Sequence, residues 1–437
     1  MHARRSSTRL LADSVRNARR ALSTQGLGTR FDVRAGQLSA SGQHYRVAFG
    51  VDAARAHLGS AVHAAGVRKL LLVRDRDAGA ASRAQYAEFL LLQAGVPCFQ
   101  YTLSRDCATL AALDDAHATA RRVGADGVLA FGGGAAIDTA RALALMLTNG
   151  GDAADYVRRS GDENSSSSSD FEPPAPHFLV PTIAGAGAEI STDALVLDED
   201  DEAKLVFGAG PIVAEGALTA LGQCIESYLS GCQDEATEML ALQGVEVIAA
   251  AFAQPLVEGT MDLKSVGLRE KFALGSLFSG IAASSSGFGC AHSLAVSMGG
   301  ISDLPHAQVA SAFLPFVFDK YAALAQENEG DEFFDALRAK LESVGDRLTA
   351  ASGFQGASVA AWMRYVSSRF GLPTTATLEL DEGLVKGIVD RAAQRQEASI
   401  AHRELAPVLG ADDIRALLDD AIIVASGETT GDKEERQ

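Results

Sequence analysis

Three consecutive glycines at the end of an apolar run constrain the fold of this chain more than any other feature. Residues 127–131 predict a buried strand, and residues 141–147 continue a helical pattern. Gly132, Gly133 and Gly134 lie between them, so the sequence predicts a strand, a tight turn and a helix start. Such a turn lets the backbone approach a phosphate, and the helix N-terminus offers N–H donors. A turn without a ligand is equally compatible, because the spacing is not Gly-x-Gly-x-x-Gly.

The chain from about residue 45 to 208 alternates between apolar strands and helices. The predicted strands are 47–50, 69–75, 97–102, 126–131 and 177–182, and the predicted helices are 53–65, 82–95 and 108–123. Buried strands separated by helices are typical of a parallel, doubly wound α/β sheet of Rossmann-like type. Ligands of such sheets bind at the carboxyl ends of the strands, where Asp75 and the glycine turn both lie.

Residues 209–437 have a different pattern and predict an all-α domain. Long Ala/Leu-rich stretches there carry helical periodicity and few β-branched runs. Within the first domain, residues 161–176 include five consecutive serines and several prolines, so we expect a low-complexity, solvated loop. The fold class predicted is therefore an α/β N-terminal domain followed by a helical C-terminal domain.

The net charge narrows the classes of binding partner, and the cysteines indicate the redox environment. A formal net charge of −18 argues against nucleic-acid binding and against attraction to an anionic membrane surface. No apolar run is long enough and clean enough to span a bilayer. The five cysteines are dispersed and include no Cys-x-x-Cys pair, which favours a reducing compartment over a disulfide framework.

Residues 1–30 differ from the rest of the chain. They carry seven arginines and one acid, Asp13, with serines and small apolar residues between them. An Arg-rich, Ser-rich and acid-poor start resembles a mitochondrial transit peptide, which would place the mature protein in the mitochondrial matrix. A disordered basic tail or a misassigned start codon are the alternatives, and the cytoplasm is then the expected location.

Four motifs, in a fixed order, resemble those of the iron-containing (group III) alcohol dehydrogenases. They are residues 132–141, 181–189, 223–228 and 292–306. The resemblance spans about residues 45 to 425. It implies a dinucleotide-binding domain, a helical domain and an active cleft between them. It also implies hydride transfer between a nicotinamide cofactor and a small alcohol, aldehyde or ketone. A homodimer is expected from the family alone.

The cofactor that the resemblance implies is NAD, with NADP less favoured. Its pyrophosphate would lie on Gly132–Gly134, and Asp75 matches the acid that binds the adenosine ribose and repels a 2′-phosphate. Asp138, Thr182 and Lys204 match family positions near the cofactor. An ordinary acid at the end of a strand is the alternative interpretation of Asp75.

The family also holds a divalent metal, iron or zinc, through one Asp and three His, and here this chain departs from the family pattern. His292 and His306 occupy two ligand positions and are the predicted catalytic and metal-binding residues. Gln223 stands where the third ligand is expected, and Thr219 where the acid is expected. A further family histidine is Val296. Compared with the family, the predicted ligand set has less negative charge and fewer donor atoms, so metal binding is possible but not favoured.

A second departure is the short segment 205–218, where the family has a further strand and connection. A true deletion and a gene-model error both account for it.

Three functions remain open from the sequence. The first is an NAD-dependent alcohol dehydrogenase or aldehyde reductase with an altered metal site. The second is a metal-independent reductase of oxo acids, in which His292 or His306 donates a proton or stabilises the alkoxide. The third is a non-catalytic protein that binds a nucleotide.

Overall fold

The computed structural model describes most of the chain between residues 36 and 426. The described residues are 36–40, 43–50, 52–105, 107–156, 171–185, 187–190, 194, 196–197, 212–230, 235–257, 261–262, 265–298, 306–354, 356, 358–372, 382–400 and 409–426. Residues 1–30, Lys204, the predicted domain boundary at 208/209 and residues 205–211 of the short segment lie outside them. The transit peptide and the mitochondrial location therefore stay predictions.

Two compact units make up the fold. The first comprises Met1–Ile183 with Ala188–Asp201, and the second comprises Ala184–Gly187 with Glu202–Gln437. The elements of the first unit are β1 (Gly36–Ala40), β2 (Gln43–Val47), α1 (Ala53–Ala64), β3 (Leu70–Arg74), α2 (Ala78–Gln93), β4 (Cys98–Thr102), β5 (Ala108–Thr109), α3 (Leu110–Val123), β6 (Gly127–Gly132), α4 (Gly134–Asn149), β7 (His177–Pro181) and β8 (Val196–Leu197).

The main sheet of the first unit is parallel, and its strand order creates a switch point. The order is β4-β3-β6-β7, so β3 pairs with the next strand along the chain on one side and with β6 on the other. At such a point the two crossover connections diverge and leave a crevice at the carboxyl ends of the strands. The crevice lies between the end of β3, at Asp75, and the glycine turn after β6.

Alternation along the central strands explains the two layers of helices. On β3, Leu70 and Leu72 join one core cluster, together with residues of α1 and α2. Leu71 and Val73 point to the opposite face and join a second cluster with residues of α3 and α4. Because both faces of each central strand are apolar, both must be covered, and this produces the doubly wound fold.

The predicted strand at 47–50 is wrong. The extended segment is β2, which ends at Val47 and pairs with β1 in a separate antiparallel sheet. Gly50 has φ 139° and Asp52 has φ 59°, and backbone angles in this region bend the chain into α1 instead of extending the strand.

Part of the predicted low-complexity loop is described. Residues 171–176 form no helix or strand, and several of them are exposed. The contacts that anchor them include the Phe171 ring, which stacks on Tyr156 with centroids 5.0 Å apart, and the Ala175 N–H, which donates to the Ala144 carbonyl at 2.9 Å. Residues 161–170, which include the serine run, lie outside the described residues.

Every secondary-structure element described in the second unit is an α-helix. Its elements are α5 (Ile212–Leu229), α6 (Glu235–Phe252), α7 (Val266–Ser286), α8 (Cys290–Met298), α9 (His306–Glu327), α10 (Glu332–Ser352), α11 (Val359–Phe370), α12 (Glu382–Ile400) and α13 (Ala411–Ser426). They enclose one apolar core, in which the Trp362 and Phe252 rings meet edge to face at 6.0 Å. The predicted fold class, a parallel α/β unit followed by an all-α unit, is confirmed. Among the described helices, none is both long and apolar enough to cross a membrane.

A contact between two glycines helps to fix Gly185 and Gly187 against a helix of the second unit. A Cβ atom built on Gly280, within α7, would lie 2.7 Å from the Gly187 carbonyl oxygen. The Gly185 N–H donates to Ser276 Oγ at 3.2 Å, one turn earlier on α7. Backbone lies directly against backbone here, so a larger residue at position 280 would force the loop away.

We expect Gly280→Ala to destabilise the protein by about 1–3 kcal/mol, because the added methyl overlaps a backbone oxygen that cannot move freely. The matched control is Gly345→Ala within α10, where a Cβ meets no heavy atom within 4 Å. That change should stabilise by roughly 0.5–1 kcal/mol through helix propensity. Urea unfolding of both variants measures the effect, and equal stabilities would contradict the glycine contact.

Candidate functional site

The glycine turn is held in place by the acid at the end of β3. The Gly133 N–H donates to Asp75 Oδ2 at 2.7 Å, across the switch point. A Cβ atom on Gly132 would lie 2.6 Å from the same oxygen and 2.7 Å from Ala136 Cβ. Gly132 therefore has to be glycine for Asp75 to reach the turn.

This geometry gives Asp75 a structural role, binding the glycine turn, that the sequence does not reveal. The sequence predicts a ribose-binding acid, whereas one of its carboxylate oxygens binds the turn itself. Ribose binding by Asp75 stays a prediction. The sequence signal for this structural role was the position of Asp75 opposite the glycines at the predicted sheet edge.

Gly134 is the accessible part of the turn. It is exposed and begins α4, and a Cβ built there would meet no heavy atom within 4 Å. The first turn of a helix leaves N–H groups without intrahelical acceptors and carries a partial positive charge. An anionic group can therefore approach the backbone at Gly134 without steric obstruction.

Two further predicted cofactor residues lie beside the turn. The Thr182 N–H donates to the Gly132 carbonyl at 2.9 Å, while the Thr182 hydroxyl is buried with no hydrogen-bond partner in the described structure. Asp138 lies on α4, where Oδ1 is 3.5 Å from Arg141 Nη1. Arg141 also donates to the Ala188 carbonyl at 2.6 Å. Asp138 thus faces an arginine that binds the following loop, and its contact with a cofactor stays a prediction.

In the second unit, the two predicted catalytic histidines lie side by side. His292 is on α8 and His306 begins α9, and their ring centroids are 4.8 Å apart at an interplanar angle of 67°. The His292 ring also stacks on Phe288, with centroids 3.9 Å apart. Residues that are 14 positions apart in the sequence are therefore brought into direct contact, as the family spacing implies.

Several buried polar atoms of the two histidines and of Gln223 have no hydrogen-bond partner in the part of the chain that the structure describes. His292 Nδ1, His306 Nε2 and both amide atoms of Gln223 are buried without a hydrogen bond to any described residue. Thr219, one turn before Gln223 on α5, donates its hydroxyl to the Ala307 carbonyl at 3.0 Å, which holds this part of α5 against the start of α9. Buried polar atoms nearly always have partners, so these atoms indicate a site for a small polar ligand.

Burial keeps both imidazoles uncharged. Desolvation lowers the pKa of His306 to about 4. Desolvation also lowers the pKa of His292 well below its ordinary value, and the nearby charges of His306 and Arg395 add to the effect. Neutral imidazoles can ligate a metal or hydrogen-bond to a substrate oxygen, and protonated ones cannot ligate.

The described donors around the histidines are few. No group of three or more His, Cys, Asp and Glu side chains in the described part of the chain converges on a point that could hold a metal ion. Gln223 contributes a neutral amide, and the Thr219 hydroxyl already donates to a backbone carbonyl. Lys204, predicted near the cofactor, lies outside the described residues.

Glu226 is a site residue that sequence reasoning missed. Its Oε1 accepts the Ala291 N–H at 3.1 Å, at the first turn of the helix that carries His292. A Cβ on Gly289 would overlap the Glu226 carboxyl group, so glycine is needed there. Glu226 lies three residues after Gln223 on α5, and that helical spacing was the signal that could have revealed it.

We expect His306 to make stability depend on pH. Its pKa is lower in the folded state than in the unfolded chain, so the unfolded state binds more protons between pH 6.5 and 4. Stability is therefore complete above pH 6.5 and falls as the pH decreases through this window, by about 2 kcal/mol at pH 5. Unfolding of chelator-treated protein at pH 7 and pH 5 measures this, and His306→Gln should show the smaller difference. A variant as pH-sensitive as the parent would contradict the burial of a neutral ring.

Solved structures share this fold. The structure of a 1,3-propanediol oxidoreductase superposes with a TM-score of 0.67 at 21% identity, over 86% of this chain and 97% of that one. The sulfoacetaldehyde reductase of Bifidobacterium kashiwanohense, solved in complex with NAD+, gives a TM-score of 0.63 at 17% identity, over 86% and 96%. At these identities the likeness establishes the fold alone.

Sequence comparisons extend the likeness to the family. The 4-hydroxybutyrate dehydrogenase of Cupriavidus necator is 27% identical over 381 residues, which are 82% of this chain and 93% of the relative. Residues 45–219 match the family model "Iron-containing alcohol dehydrogenase", and residues 213–404 match the C-terminal model of the same family. The chain therefore belongs to the iron-containing alcohol dehydrogenase family of oxidoreductases.

Proposed function

We propose that this protein is an NAD-dependent oxidoreductase that interconverts an aldehyde and an alcohol, with His292 and His306 contacting the reacting oxygen. The observation that carries the proposal is the pair of half-buried, uncharged rings, each with one buried nitrogen left unpartnered by the described residues. A substrate oxygen is the kind of small polar group that would satisfy such atoms.

The first unit contains the groups suited to the cofactor. The open backbone at Gly134 and the N-terminus of α4 suit a pyrophosphate. The unpartnered hydroxyl of Thr182 is a further donor or acceptor beside the turn. The carboxylate of Asp75 adds negative charge next to this site, which favours NAD over a 2′-phosphorylated cofactor. When bound, the nicotinamide supplies or accepts the hydride.

The second unit contains the groups suited to the oxygen. In the direction of reduction, negative charge develops on the carbonyl oxygen. A neutral imidazole N–H in a water-poor site stabilises that charge by a hydrogen bond. The same N–H supplies the proton that completes the alcohol, and water restores it. In the reverse direction the same transfers run backwards: the ring takes the alcohol proton while it returns a proton to water, so that it stays neutral overall. Glu226 serves as a positioning residue, because it binds the first turn of α8.

The described donors do not suit a tightly bound metal, although family members often use one. A catalytic zinc or iron site normally has at least three protein ligands that include His or a carboxylate. Here two imidazoles and one amide are available in the described structure, and no carboxylate joins them. We therefore assign the oxygen chemistry to the imidazoles themselves.

The expected outcome of an NADH-oxidation assay with short aldehydes is turnover that survives chelation. His306→Gln should lower kcat by about a hundredfold, because a positioned proton donor is lost. His63→Gln is the control, since His63 is exposed and bonds only the Ala94 carbonyl among the described contacts. Activity that disappears with chelator and returns with Fe²⁺ or Zn²⁺ would contradict the metal-independent role. NADH binding without turnover would indicate a non-catalytic protein.

We expect Gly134→Ala to weaken NADH binding roughly tenfold without loss of stability. The methyl would occupy the open space through which a phosphate reaches the backbone, while alanine is well tolerated in a helix. Fluorescence titration with NADH measures the affinity, and Gly345→Ala is the control. Unchanged affinity would place the pyrophosphate elsewhere.

A further inference from the structure

One edge of the main sheet in the first unit has no neighbouring strand in the described part of the chain. β4 is the end strand, and β3 is its only partner among the described strands. The Leu103 N–H, directly after β4, donates to the Arg74 carbonyl at 3.0 Å. Because successive residues of a strand point their backbone groups to opposite sides, those of Cys98, Gln100 and Thr102 point away from β3.

This open edge lacks the features that usually protect an edge strand. Natural edge strands are blunted by charged side chains, by prolines or by a covering element. Residues 98–102 of β4 include neither a charge nor a proline, and the Phe99 side chain is 43% exposed. Such an edge is suited to pair with a further strand.

Exposed apolar side chains of α2 lie beside the same edge. Tyr86, Phe89 and Leu92 recur every three residues, and Leu92, at 74% exposure, is the most exposed large apolar residue described. The other side of α2 contacts α1, since the Ala94 carbonyl at the end of α2 lies 2.6 Å from His63 Nε2. α1 in turn packs with residues of β7, at the far end of the sheet. Leu92 lies about 200° around the helix from Ala94 and so points away from α1, toward β4.

The apolar area at this edge suits an interface. At ~200 Å² for a fully exposed large side chain, the three α2 side chains and Phe99 together expose on the order of 400 Å² in each copy of the chain. A standard protein interface buries about 800 Å² per partner. These side chains therefore supply about half of the area that a stable dimer needs, and the backbone edge beside them extends it.

We propose that β4 pairs antiparallel with β4 of a second copy of this chain, about a two-fold axis at Gln100. The outward backbone groups then match, because Gln100 exchanges hydrogen bonds with Gln100 of the second copy and Cys98 does so with Thr102. Phe99 and Tyr101 of the second copy form the closer, non-hydrogen-bonded pair, where aromatic side chains stabilise a sheet. The two α2 helices meet on one face, and the two four-stranded sheets become continuous. The family resemblance leads us to expect a homodimer, and this inference assigns its surface.

The charges beside β4 suit the same two-fold axis. Arg74 lies opposite Thr102 in the register of β3 and β4, and its Nε donates to Gln100 Oε1 at 2.9 Å. Glu88 of α2 lies near the other end of β4, where burial and, to a lesser extent, the Glu88 carboxylate raise the pKa of the Cys98 thiol to about 12. An antiparallel pairing brings the Cys98 end of one copy beside the Thr102 end of the other. Each Glu88 thus approaches Arg74 of the other copy, which is a complementary arrangement of charge.

Sedimentation velocity of the full-length chain tests this interface, and we expect a dimer at micromolar concentration. Leu92→Glu should raise the dimer dissociation constant about a hundredfold, because it places a carboxylate at the apolar centre of the interface. Val266→Glu is the matched control, since Val266 is an exposed apolar residue of the second unit, and it should change the constant by less than about twofold.

Cross-linking locates the two-fold axis independently of whether Leu92→Glu folds. In a hydrogen-bonded antiparallel pair the two Cα atoms at position 100 lie about 5.5 Å apart, a distance that a disulfide spans. Gln100→Cys should therefore form a covalent dimer on mild oxidation, whereas Ser82→Cys, exposed on α2 and away from the axis, should not. A parent chain that sediments as a monomer overturns the inference. A dimer that Leu92→Glu leaves intact and that Gln100→Cys does not cross-link has its interface elsewhere, and this also overturns it.

Discussion

The second unit's chemistry depends on two uncharged, half-buried imidazole rings that lie against each other between helices. Neither ring accepts a proton at neutral pH, because a charged imidazole needs hydration that the surrounding helices exclude and do not replace. Contacts between the surrounding helices hold the two rings in position. Thr219 ties α5 to the start of α9, and Glu226 ties the same helix to the first turn of α8. One helix therefore positions both histidines, although it carries neither.

The first unit depends on an equally local constraint at its switch point. Asp75 reaches across from β3 and binds the backbone of the turn that follows β6. The bond is available only because position 132 lacks a side chain. Beyond it, the turn presents open backbone and the start of a helix, which together suit an anion. Strand order, glycine placement and acid placement thus converge on one edge of the sheet.

The sequence predicts much of this because the relevant signals are local. The alternation of apolar strands and helices gives the fold class, and the motif order gives the histidine pair. What escapes prediction depends on contacts between distant residues. The Asp75–Gly133 bond joins residues 58 positions apart, and the Gly280–Gly187 contact depends on how a loop meets a helix. The predicted strand at 47–50 is wrong for the opposite reason. A local apolar run indicated a strand, but the positive φ angles of Gly50 and Asp52 turn the chain at this point.

The proposed chemistry of this protein departs from that usual in its family because neutral imidazoles, and no metal ion, contact the reacting oxygen. We propose that Thr219 and Gln223 occupy the positions of the family's acid and histidine ligands, so Thr219→Asp with Gln223→His should produce a complete ligand set.

The decisive measurement is metal content after dialysis against equal concentrations of Fe²⁺ or Zn²⁺ and then against buffer. The parent protein should lose its metal, whereas the double variant should keep about one ion per chain. A parent protein that holds one ion as firmly as the variant would contradict the account.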